Sequence, residues 1–465
     1  MNSQDSTFLF VGYDLNKERG EVKFHYVIRF TDTTEYFTEK LIFSIKGVNF
    51  SKIPRGLLKL LLDNLMLILG ISYWKLYCPK KIEIADNWLT KEQAEFWNTV
   101  YTKGLGEFFY KNGVDFRGLV QFPYVSSHPG GSEATDRISS SFKGDSIASL
   151  QNDKTFKDRS FLMLGGGKDS IVAAELLKRD KKTFTAFVIN DYSIQKELIK
   201  LLGVDSIIVQ RKIDPKLLEL GKQKDAYNGH VPVSAIYAFI ALFAAAIYDY
   251  RYIISSNEAS SNYGNVEYLG ETINHQWSKS LEFETLFSDY VKKYLTTNIY
   301  YFSILRPLYE IKIAQLFVKY PKYFSAFSSC NRNFRIKHER IWKWCGQCAK
   351  CAFIFVTLAA FLPKEEVVKI FGKNLFADAS LINTYKELLG IRGIKPFECV
   401  GTPDEVTLAF YLVYKKGKFN NDIIMRMFGK EITPRFSSVR QLGKKLLSAL
   451  GEHRIPENFR NVLTV

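Results

Sequence analysis

The residues best suited to chemistry follow a short apolar stretch near the middle of the chain. Residues 161–164 read FLML, residues 165–170 read GGGKDS, and the segment from Ile171 has helical composition with one apolar face. Glycines let a backbone approach an anion closely, and the free N–H groups at a helix start point at that anion. The order of strand, glycine turn and helix therefore predicts a phosphate site. The candidate nucleotide-binding residues here are Gly165, Gly166, Gly167, Lys168, Asp169 and Ser170. An ordinary glycine-rich turn is the alternative, and the Lys-Asp-Ser after the glycines favours phosphate.

A second candidate site lies toward the C-terminus, where four of the six cysteines fall between residues 330 and 351. One cysteine precedes a C-x-x-C-x-x-C run, and four thiolates are the ligands of a closed tetrahedral zinc site. Chance clustering and a redox pair are alternatives, but only a closed metal site uses all four residues. The spacing also fits an iron–sulfur cluster. The predicted metal ligands are Cys330, Cys345, Cys348 and Cys351.

Three other features carry weaker signals. Residues 274–280, which read NHQWSKS, form either a solvated loop or part of a substrate site. Arg306 precedes a predicted helix, so it could clamp a carboxylate or phosphate, or be a capping or surface residue. Cys399 is a lone cysteine, for which we expect a buried structural thiol.

Strands and helices alternate from residue 160 onward, which predicts an α/β fold with a doubly wound parallel sheet. The predicted strands cover residues 160–164, 183–190, 205–210 and 251–256. Three helices are predicted: one starts at residue 169, and the other two cover residues 193–202 and 234–248. Ligands bind at the carboxyl ends of such strands. The glycine loop, Asn190 with its two followers, and residues 257–260 all come after strands, so we expect them to converge on one cleft.

Patterning divides the chain into four parts. Residues 1–125 mix alternating strands with helical stretches, which predicts an N-terminal α+β domain. Residues 126–157 are rich in Ser, Gly and Asp and predict a linker or mobile loop. Residues 158–362 hold the predicted α/β nucleotide domain with its cysteine cluster. Residues 363–465 are predicted to be a helical C-terminal region.

The charge of the chain restricts the partner only in part. The 465 residues carry a formal net charge of +16, with a pI near 9.3. Nucleic acid is the usual partner of such a balance, yet no block of five or six basic residues occurs. A polyanionic small molecule such as a nucleotide is an equally good partner, and a general lysine bias explains the charge as well.

Targeting and membrane signals are weak. The first residues lack the charged and apolar regions of a secretory signal, so we expect a cytoplasmic protein. Residues 231–248 are the one membrane-like stretch that the pattern suggests. They contain Pro232 and fall short of the roughly 20 apolar residues of a span. We therefore expect a helix buried against a sheet and no membrane association.

The motifs resemble known families at two levels. The glycine loop resembles the PP-loop (S-G-G-x-D-S) of ATP pyrophosphatases, although Gly165 replaces the first serine and removes one hydroxyl donor. Together with the cysteine cluster it is similar to the zinc-containing family that makes 7-cyano-7-deazaguanine. A broader set of short motifs resembles the MurL epimerase family over nearly the whole chain. These motifs include residues 10–14, 165–170, 256–259, 274–280, 305–307, 329–332, 344–346, 370–372 and 395–401.

The MurL resemblance implies a PP-loop type of fold and an ATP-dependent epimerase acting on UDP-N-acetylmuramoyl-L-alanyl-L-glutamate. The terminal carboxylate would be adenylated, its α-proton removed and returned to the other face, and AMP and pyrophosphate released. The loop would bind ATP with Mg²⁺, Lys168 and Ser170 would stabilise pyrophosphate, and Asp169 would hold Mg²⁺ or position the loop. Asn190 is a further candidate for binding the cofactor.

The proton-abstracting base cannot be read from the motifs, and His275 and Lys279 are candidates from residue chemistry alone. The alternatives are another PP-loop adenylating enzyme, such as a 7-deazaguanine or tRNA-modifying enzyme, and a non-catalytic zinc-stabilised scaffold. No dedicated RNA-binding domain is evident, so nucleic acid is an unlikely substrate. The basic charge suits a UDP-sugar peptide. The pattern does not predict an oligomeric state.

Overall fold

The computed structural model describes residues 6–48, 50–86, 88–125, 154–334, 343–435, 439–448 and 451–464. The predicted linker over 126–157 lies outside the described residues up to residue 153. The chain forms two compact units that interleave along the sequence. Unit 1 comprises Met1–Phe161, Ile207–Ile253 and Phe283–Tyr301, and unit 2 comprises Leu162–Ser206, Ile254–Glu282 and Phe302–Val465. These limits differ from the four predicted ranges.

The strands of the described residues are numbered in chain order. They are β1 Thr7–Asn16, β2 Glu21–Arg29, β3 Thr34–Phe43, β4 Lys81–Ile84, β5 Ser160–Met163, β6 Thr185–Ile189, β7 Ser206–Lys212, β8 Tyr252–Ser255, β9 Val266–Tyr268, β10 Glu271–Ile273 and β11 Tyr300–Ser303. Nine of them form one sheet in the order β11-β8-β5-β6-β7-β3-β2-β1-β4, and β9 and β10 form a separate hairpin.

The helices are numbered in the same way. They are α1 Arg55–Trp74, α2 Lys91–Gly104, α3 Gly106–Asn112, α4 Lys168–Arg179, α5 Ser193–Leu202, α6 Pro215–Leu220, α7 Val233–Tyr248, α8 Leu281–Tyr294, α9 Glu310–Phe317, α10 Ala349–Ala359, α11 Lys364–Phe371, α12 Ile382–Leu388, α13 Pro403–Lys416, α14 Ile423–Glu431 and α15 Val439–Leu447. The described residues from 364 onward contain helices and 3₁₀ turns but no strand, as predicted for the C-terminal region.

The sheet combines two strand patterns. In the part β11-β8-β5-β6-β7, strand β5 is central, with β6 and β7 on one side and β8 and β11 on the other. Helices connect these strands along the chain, as parallel neighbouring strands require. The large, mostly parallel sheet confirms the predicted α/β class. The PP-loop type of this fold stays a prediction.

The N-terminal strands belong to the same sheet, which sequence reasoning did not foresee. Strands β1, β2 and β3 form an antiparallel meander, and β4 pairs parallel to β1. Strand β3 pairs antiparallel with β7, with Lys40 opposite Lys212. The alternation of these strands was visible in the sequence, but a pairing between segments about 170 residues apart is set by tertiary packing rather than by local pattern.

Two apolar helices lie inside unit 1. Helix α7, the membrane-like stretch of the sequence, is buried along most of its length, as expected. The periodicity of residues 55–71 predicted α1 as a helix, but the expectation that residues 231–248 are the one membrane-like stretch was wrong. Helix α1 is the longer of the two and the only described helix long and apolar enough to cross a membrane by length and composition. In this structure 83% of its apolar window is buried. The hydroxyls of Tyr26 and Tyr101 donate to backbone carbonyls of α1. These two buried hydroxyls therefore have hydrogen-bond partners inside the protein.

In unit 2 the predicted glycine turn joins β5 to α4. The N–H of Leu164 donates to the carbonyl of Phe187 at 2.9 Å, which fixes the end of β5 against β6. Gly166 has a φ of +102°, a conformation that L-residues with a side chain rarely adopt. A Cβ on Gly167 would lie 2.7 Å from Ser329 Oγ, whereas one on Gly165 would meet no atom within 4 Å. The turn therefore requires glycine at its second position and leaves room for a side chain at its first.

Candidate active site

The glycine loop ends in a buried ion pair. Lys168 is the first residue of α4, and its side chain is 0% exposed. Its ammonium group bonds to the carboxylates of Asp169 and Glu310, the latter at the start of α9. Burial lowers the pKa of Lys168, but the charges of Asp169 and Glu310 outweigh burial, so the net shift is upward. Lys168 is therefore a fixed cation beneath the loop rather than a mobile surface lysine.

Three carboxylates gather around this lysine. One oxygen each of Asp169, Glu258 and Glu310 lies within 4.8 Å of the others. Burial raises the pKa of Glu258, and the charges of Glu310 and Asp169 raise it further. Glu310 is equally buried, but Lys168 and Lys350 hold its pKa below the ordinary value. Two environments thus separate two glutamates of similar burial, one favouring its neutral form and the other its carboxylate.

Two of the three strand ends that were expected to converge meet in this cluster. Glu258 follows β8, and the loop after β5 supplies Asp169. Asn190, at the end of β6, has a left-handed backbone with a φ of +61°. Ser170 is buried, and its hydroxyl donates to the carbonyl of Gly167 at 3.1 Å. Its hydroxyl therefore stabilises the loop itself in this structure, and a pyrophosphate contact by Ser170 stays a prediction.

Arg306 is a buried arginine whose guanidinium bonds to protein groups, and a clamp on a ligand carboxylate or phosphate stays a prediction. It is 1% exposed and donates from Nη1 to the carbonyl of Glu258 at 2.8 Å and to Ser261 Oγ at 3.0 Å. Its Nη2 donates to the carbonyl of Lys279 at 2.6 Å. It is neither a surface residue nor a helix cap. The buried guanidinium instead holds the backbones of Glu258 and Lys279 in fixed relation.

The structure brings together His275, Lys279 and Cys399. Lys279 Nζ lies 3.2 Å from Cys399 Sγ, and His275 Nε2 lies 3.8 Å from the same sulfur. Burial raises the pKa of the Cys399 thiol, but Lys279 and His275 outweigh it and the net pKa falls to about 5. Cys399 is only partly buried. The expectation of a buried thiol at Cys399 was therefore wrong, and two side chains that are distant in sequence, Lys279 and His275, contact its sulfur.

The segment that carries Cys399 is held on several sides. Asn265 Nδ2 donates to the carbonyls of Lys395 and Pro396, and Gln276 Nε2 donates to the carbonyl of Val400 at 3.1 Å. Buried Lys395 donates to the carbonyl of Tyr263 at 3.1 Å. The thiolate therefore projects from a segment fixed by side-chain hydrogen bonds to its backbone.

The four predicted metal ligands are adjacent in space. The sulfur atoms of Cys330, Cys345, Cys348 and Cys351 lie within 4.8 Å of one another. Cys345 Sγ and Cys351 Sγ are 3.7 Å apart, and the N–H of Cys351 donates to Cys348 Sγ at the start of α10. Convergence of four thiols fits the donor set of structural zinc.

Lys350 connects this metal cluster to the thiolate segment. It lies between Cys348 and Cys351, and its N–H donates to Glu398 Oε2 at 2.5 Å. Its ammonium group donates to the carbonyl of Cys399 and lies 3.5 Å from Glu310 Oε1. One lysine thus contacts the carboxylate cluster and the thiolate segment from a helix start fixed by cysteines.

Sequence reasoning did not single out Glu310 or Lys350, and it gave Cys399 only a structural role. Glu310 was hidden inside a predicted helix start, and Lys350 inside the cysteine motif. Cys399 stands within the motif of residues 395–401, but its chemistry depends on side chains about 120 residues away in sequence.

We predict that removing one partner of the buried Lys168–Glu310 pair destabilises unit 2 strongly. Lys168→Met leaves a buried carboxylate without its main counter-charge, which costs about 3–5 kcal/mol. Urea unfolding should be measured for Lys168→Met, for Glu310→Gln and for the double variant. The double variant should lose less free energy of unfolding than the two single variants lose together. Lys196→Met, which removes an exposed pair with Asp191, is the control and should change little. Strict additivity of the two single losses would refute a direct pair.

We also predict that the purified protein holds about one zinc ion per chain at the four-cysteine cluster. Cys348→Ser should release the metal and lower the unfolding temperature, because structural zinc contributes to folding free energy. Cys78→Ser, which alters a buried cysteine outside the cluster, should retain the metal. Elemental analysis with visible spectroscopy is the measurement. Full folding without metal would refute the site, and iron with visible absorption would identify an iron–sulfur cluster instead.

Comparison with known proteins matches both halves of the chain to one family. Residues 1–304 match the MurL N-terminal domain, and residues 326–441 match the MurL C-terminal domain. The UDP-N-acetyl-alpha-D-muramoyl-L-alanyl-L-glutamate epimerase of Xanthomonas oryzae pv. oryzae is 34% identical over 459 residues, which are 97% of this chain and 96% of that protein.

Two actinobacterial relatives carry the same name. The protein of a Micromonospora species is 32% identical over 456 residues, covering 98% of this chain and 97% of its own. That of Salinispora tropica is 33% identical over 406 residues, covering 87% and 84%. The matched regions include the glycine loop and the four-cysteine cluster. The chain therefore belongs to the MurL family.

Proposed function

We propose that this protein is an ATP-dependent epimerase that inverts the terminal L-glutamate of UDP-N-acetylmuramoyl-L-alanyl-L-glutamate, a peptidoglycan precursor. The observation that carries the proposal is the near full-length match to relatives that bear this name. The arrangement of unit 2 supports it, because a glycine loop, a carboxylate cluster and the Lys279–Cys399 contact lie among mutually connected residues. An isomerase needs such acid–base groups, and a scaffold does not.

Activation of the carboxylate is the chemical reason for ATP. Removing a proton from a carbon beside an ionised carboxylate creates a dianion, which is strongly disfavoured. Conversion to an acyl-adenylate removes that charge and supplies AMP as a leaving group. A base then takes the α-proton, and a proton returns to the opposite face of the α-carbon. Water then hydrolyses the acyl-adenylate and releases AMP and the peptide, which now ends in D-glutamate.

The glycine loop would bind the phosphates of ATP. Gly166 and Gly167 bring the backbone into the turn, and α4 begins directly after it, so its first N–H groups would point at an anion bound there. Lys168 is paired in this structure, so its role would be to fix Asp169 and to offset the negative charge of the site. Asn190, at the end of the neighbouring strand, would contact the nucleotide.

The carboxylates fit a magnesium ion by their chemistry. Mg²⁺ prefers hard oxygen donors and commonly binds through one or two carboxylates together with phosphates. Asp169 and Glu258 would supply those donors, because their carboxylates lie close together, whereas Lys168 and Lys350 engage both oxygens of Glu310. When bound, the ion would neutralise phosphate charge during adenylation.

The proton-transfer step belongs to the cluster around Lys279. His275 and Lys279 were the candidate bases from residue chemistry, and both contact Cys399. The four-cysteine cluster would hold α10 and Lys350 in place and so support this region. Zinc in that role is structural, since all four ligands are cysteine and no position stays open.

We predict that ATP is cleaved between its α and β phosphates. Incubation with the L-glutamate substrate and Mg²⁺ should yield AMP and pyrophosphate, and Asp169→Asn should lower that rate by at least about 10²-fold while the fold persists. Asp180→Asn, at the opposite end of the same helix, should behave as the unaltered protein. Product analysis by chromatography is the measurement. ADP and phosphate as products would exclude a PP-loop reaction.

We further predict that inversion introduces one solvent proton at the α-carbon. In D₂O the released glutamate should be D-configured, carry deuterium at Cα, and form only when ATP is present. Mass spectrometry with chiral analysis detects both properties. Transfer of the activated acyl group to ammonia or an amine with retained configuration would instead indicate an amide-forming enzyme and overturn the epimerase proposal.

A further inference from the structure

We propose that the Cys399 thiolate is the base that removes the α-proton of the activated glutamate, with Lys279 and His275 as positioning residues. This inference rests on the proposed function and assigns a step of it to a named atom. Cys399 Sγ is the point where both candidate bases of the sequence meet. The residue that carries this sulfur is not fully buried.

Lys279 is the poorer candidate for the base. Burial lowers its pKa, but Cys399 and Glu258 outweigh burial and the net pKa is raised. A lysine that stays protonated cannot accept the α-proton. Its ammonium group instead faces the sulfur at 3.2 Å and stabilises the thiolate. The same cation favours the negative charge that develops on the substrate during proton removal.

His275 is fixed as a partner of the sulfur. Its backbone N–H donates to Asn265 Oδ1 at 2.8 Å, and Asn265 also holds the carbonyls of Lys395 and Pro396. Asn265 thus holds the backbone of His275 next to the segment that carries Cys399. The imidazole faces Cys399 Sγ at 3.8 Å and supports the thiolate as a hydrogen-bond donor.

The thiolate form is the state needed for a base at neutral pH. With a pKa near 5, Cys399 is almost fully ionised at pH 7. The charged and titratable groups that interact with it come from several elements. They are His275, Lys279, Lys350, Lys395 and Glu398. Four of these are basic side chains, which explains why the thiolate persists although burial opposes it.

The step balances as a simple proton transfer. The Cα–H bond breaks, an S–H bond forms at Cys399, and the electron pair moves into the enolate of the acyl-adenylate. A proton derived from water adds to the opposite face of Cα. The Cys399 thiol then returns its proton to solvent, so no oxidant or reductant takes part.

The first test separates proton removal from activation. Cys399→Ser keeps nearly the same shape but replaces the thiolate by a neutral hydroxyl. Deuterium incorporation at Cα and D-glutamate formation should fall about 10²- to 10⁴-fold, while AMP and pyrophosphate still form within a few-fold of the unaltered protein. Cys78→Ser is the matched control and should match the unaltered protein in both assays. Retained exchange in Cys399→Ser would overturn the assignment.

Two further outcomes are distinguishable. If a folded, zinc-containing Cys399→Ser variant loses both AMP formation and deuterium exchange, Cys399 acts in activation instead of proton transfer. A glutamyl-peptide thioester on Cys399, seen by intact-protein mass spectrometry in Cys399-containing enzyme, would make it a nucleophile. Either result overturns the proposal. Absence of AMP formation in the unaltered protein would refute the proposed function itself.

The second test examines the thiolate without substrate. Alkylation of Cys399 by iodoacetamide, followed by peptide mass spectrometry across pH, should show a midpoint near pH 5, below the usual range of a cysteine. Lys279→Met should shift the midpoint upward by more than one pH unit, and Lys279→Arg should retain most of the low value because it keeps the charge. An ordinary midpoint in the unaltered protein would refute the thiolate base.

Discussion

The buried pair between Lys168 and Glu310 is the interaction on which the arrangement of unit 2 depends. Its two residues are 142 positions apart in sequence, and each begins a helix that follows a strand of the sheet. The pair therefore joins the glycine loop to the region after β11. A buried ammonium group requires counter-charge, because an uncompensated ion in the interior costs several kcal/mol. Asp169 and Glu310 supply it, and Lys350 balances Glu310 from the opposite side.

Charge balance then orders the rest of the site. Three carboxylates, Asp169, Glu258 and Glu310, face three lysines, Lys168, Lys279 and Lys350. The balance is not uniform, since Glu258 is the carboxylate whose pKa rises. Glu258 lies where Glu310 and Asp169 repel its charge, and it is the group that a phosphate-bound cation would stabilise most. Glu258 is therefore the carboxylate of this cluster whose charge is least balanced, and a bound cation would be most favourable beside it.

Sequence reasoning was most successful where the pattern is local. The glycine loop and the four cysteines each lie within one short segment, and the structure brings each set together as the spacing indicated. The mostly parallel part of the sheet was predictable from the alternation of strands and helices. The pairing of β3 with β7 was not, because period-two alternation specifies a strand but not its neighbour. Glu310 and Cys399 were missed for the same reason, since their chemistry comes from partners far away in the chain.

Cys399 shows why residue type alone misled the interpretation. A lone cysteine is usually an inert buried thiol, and burial on its own would raise the pKa of this one. The outcome reverses because Lys279 and His275 approach the sulfur from one turn, whose backbone Arg306 fixes at the carbonyl of Lys279. Arg306 binds the carbonyl of Glu258 with the same guanidinium. A single buried arginine thus sets the distance between the carboxylate beside the glycine loop and the lysine beside Cys399. In the proposed reaction, activation and proton transfer at one glutamate would require these two groups at a fixed separation, and neither the loop motif nor the cysteine motif encodes that separation.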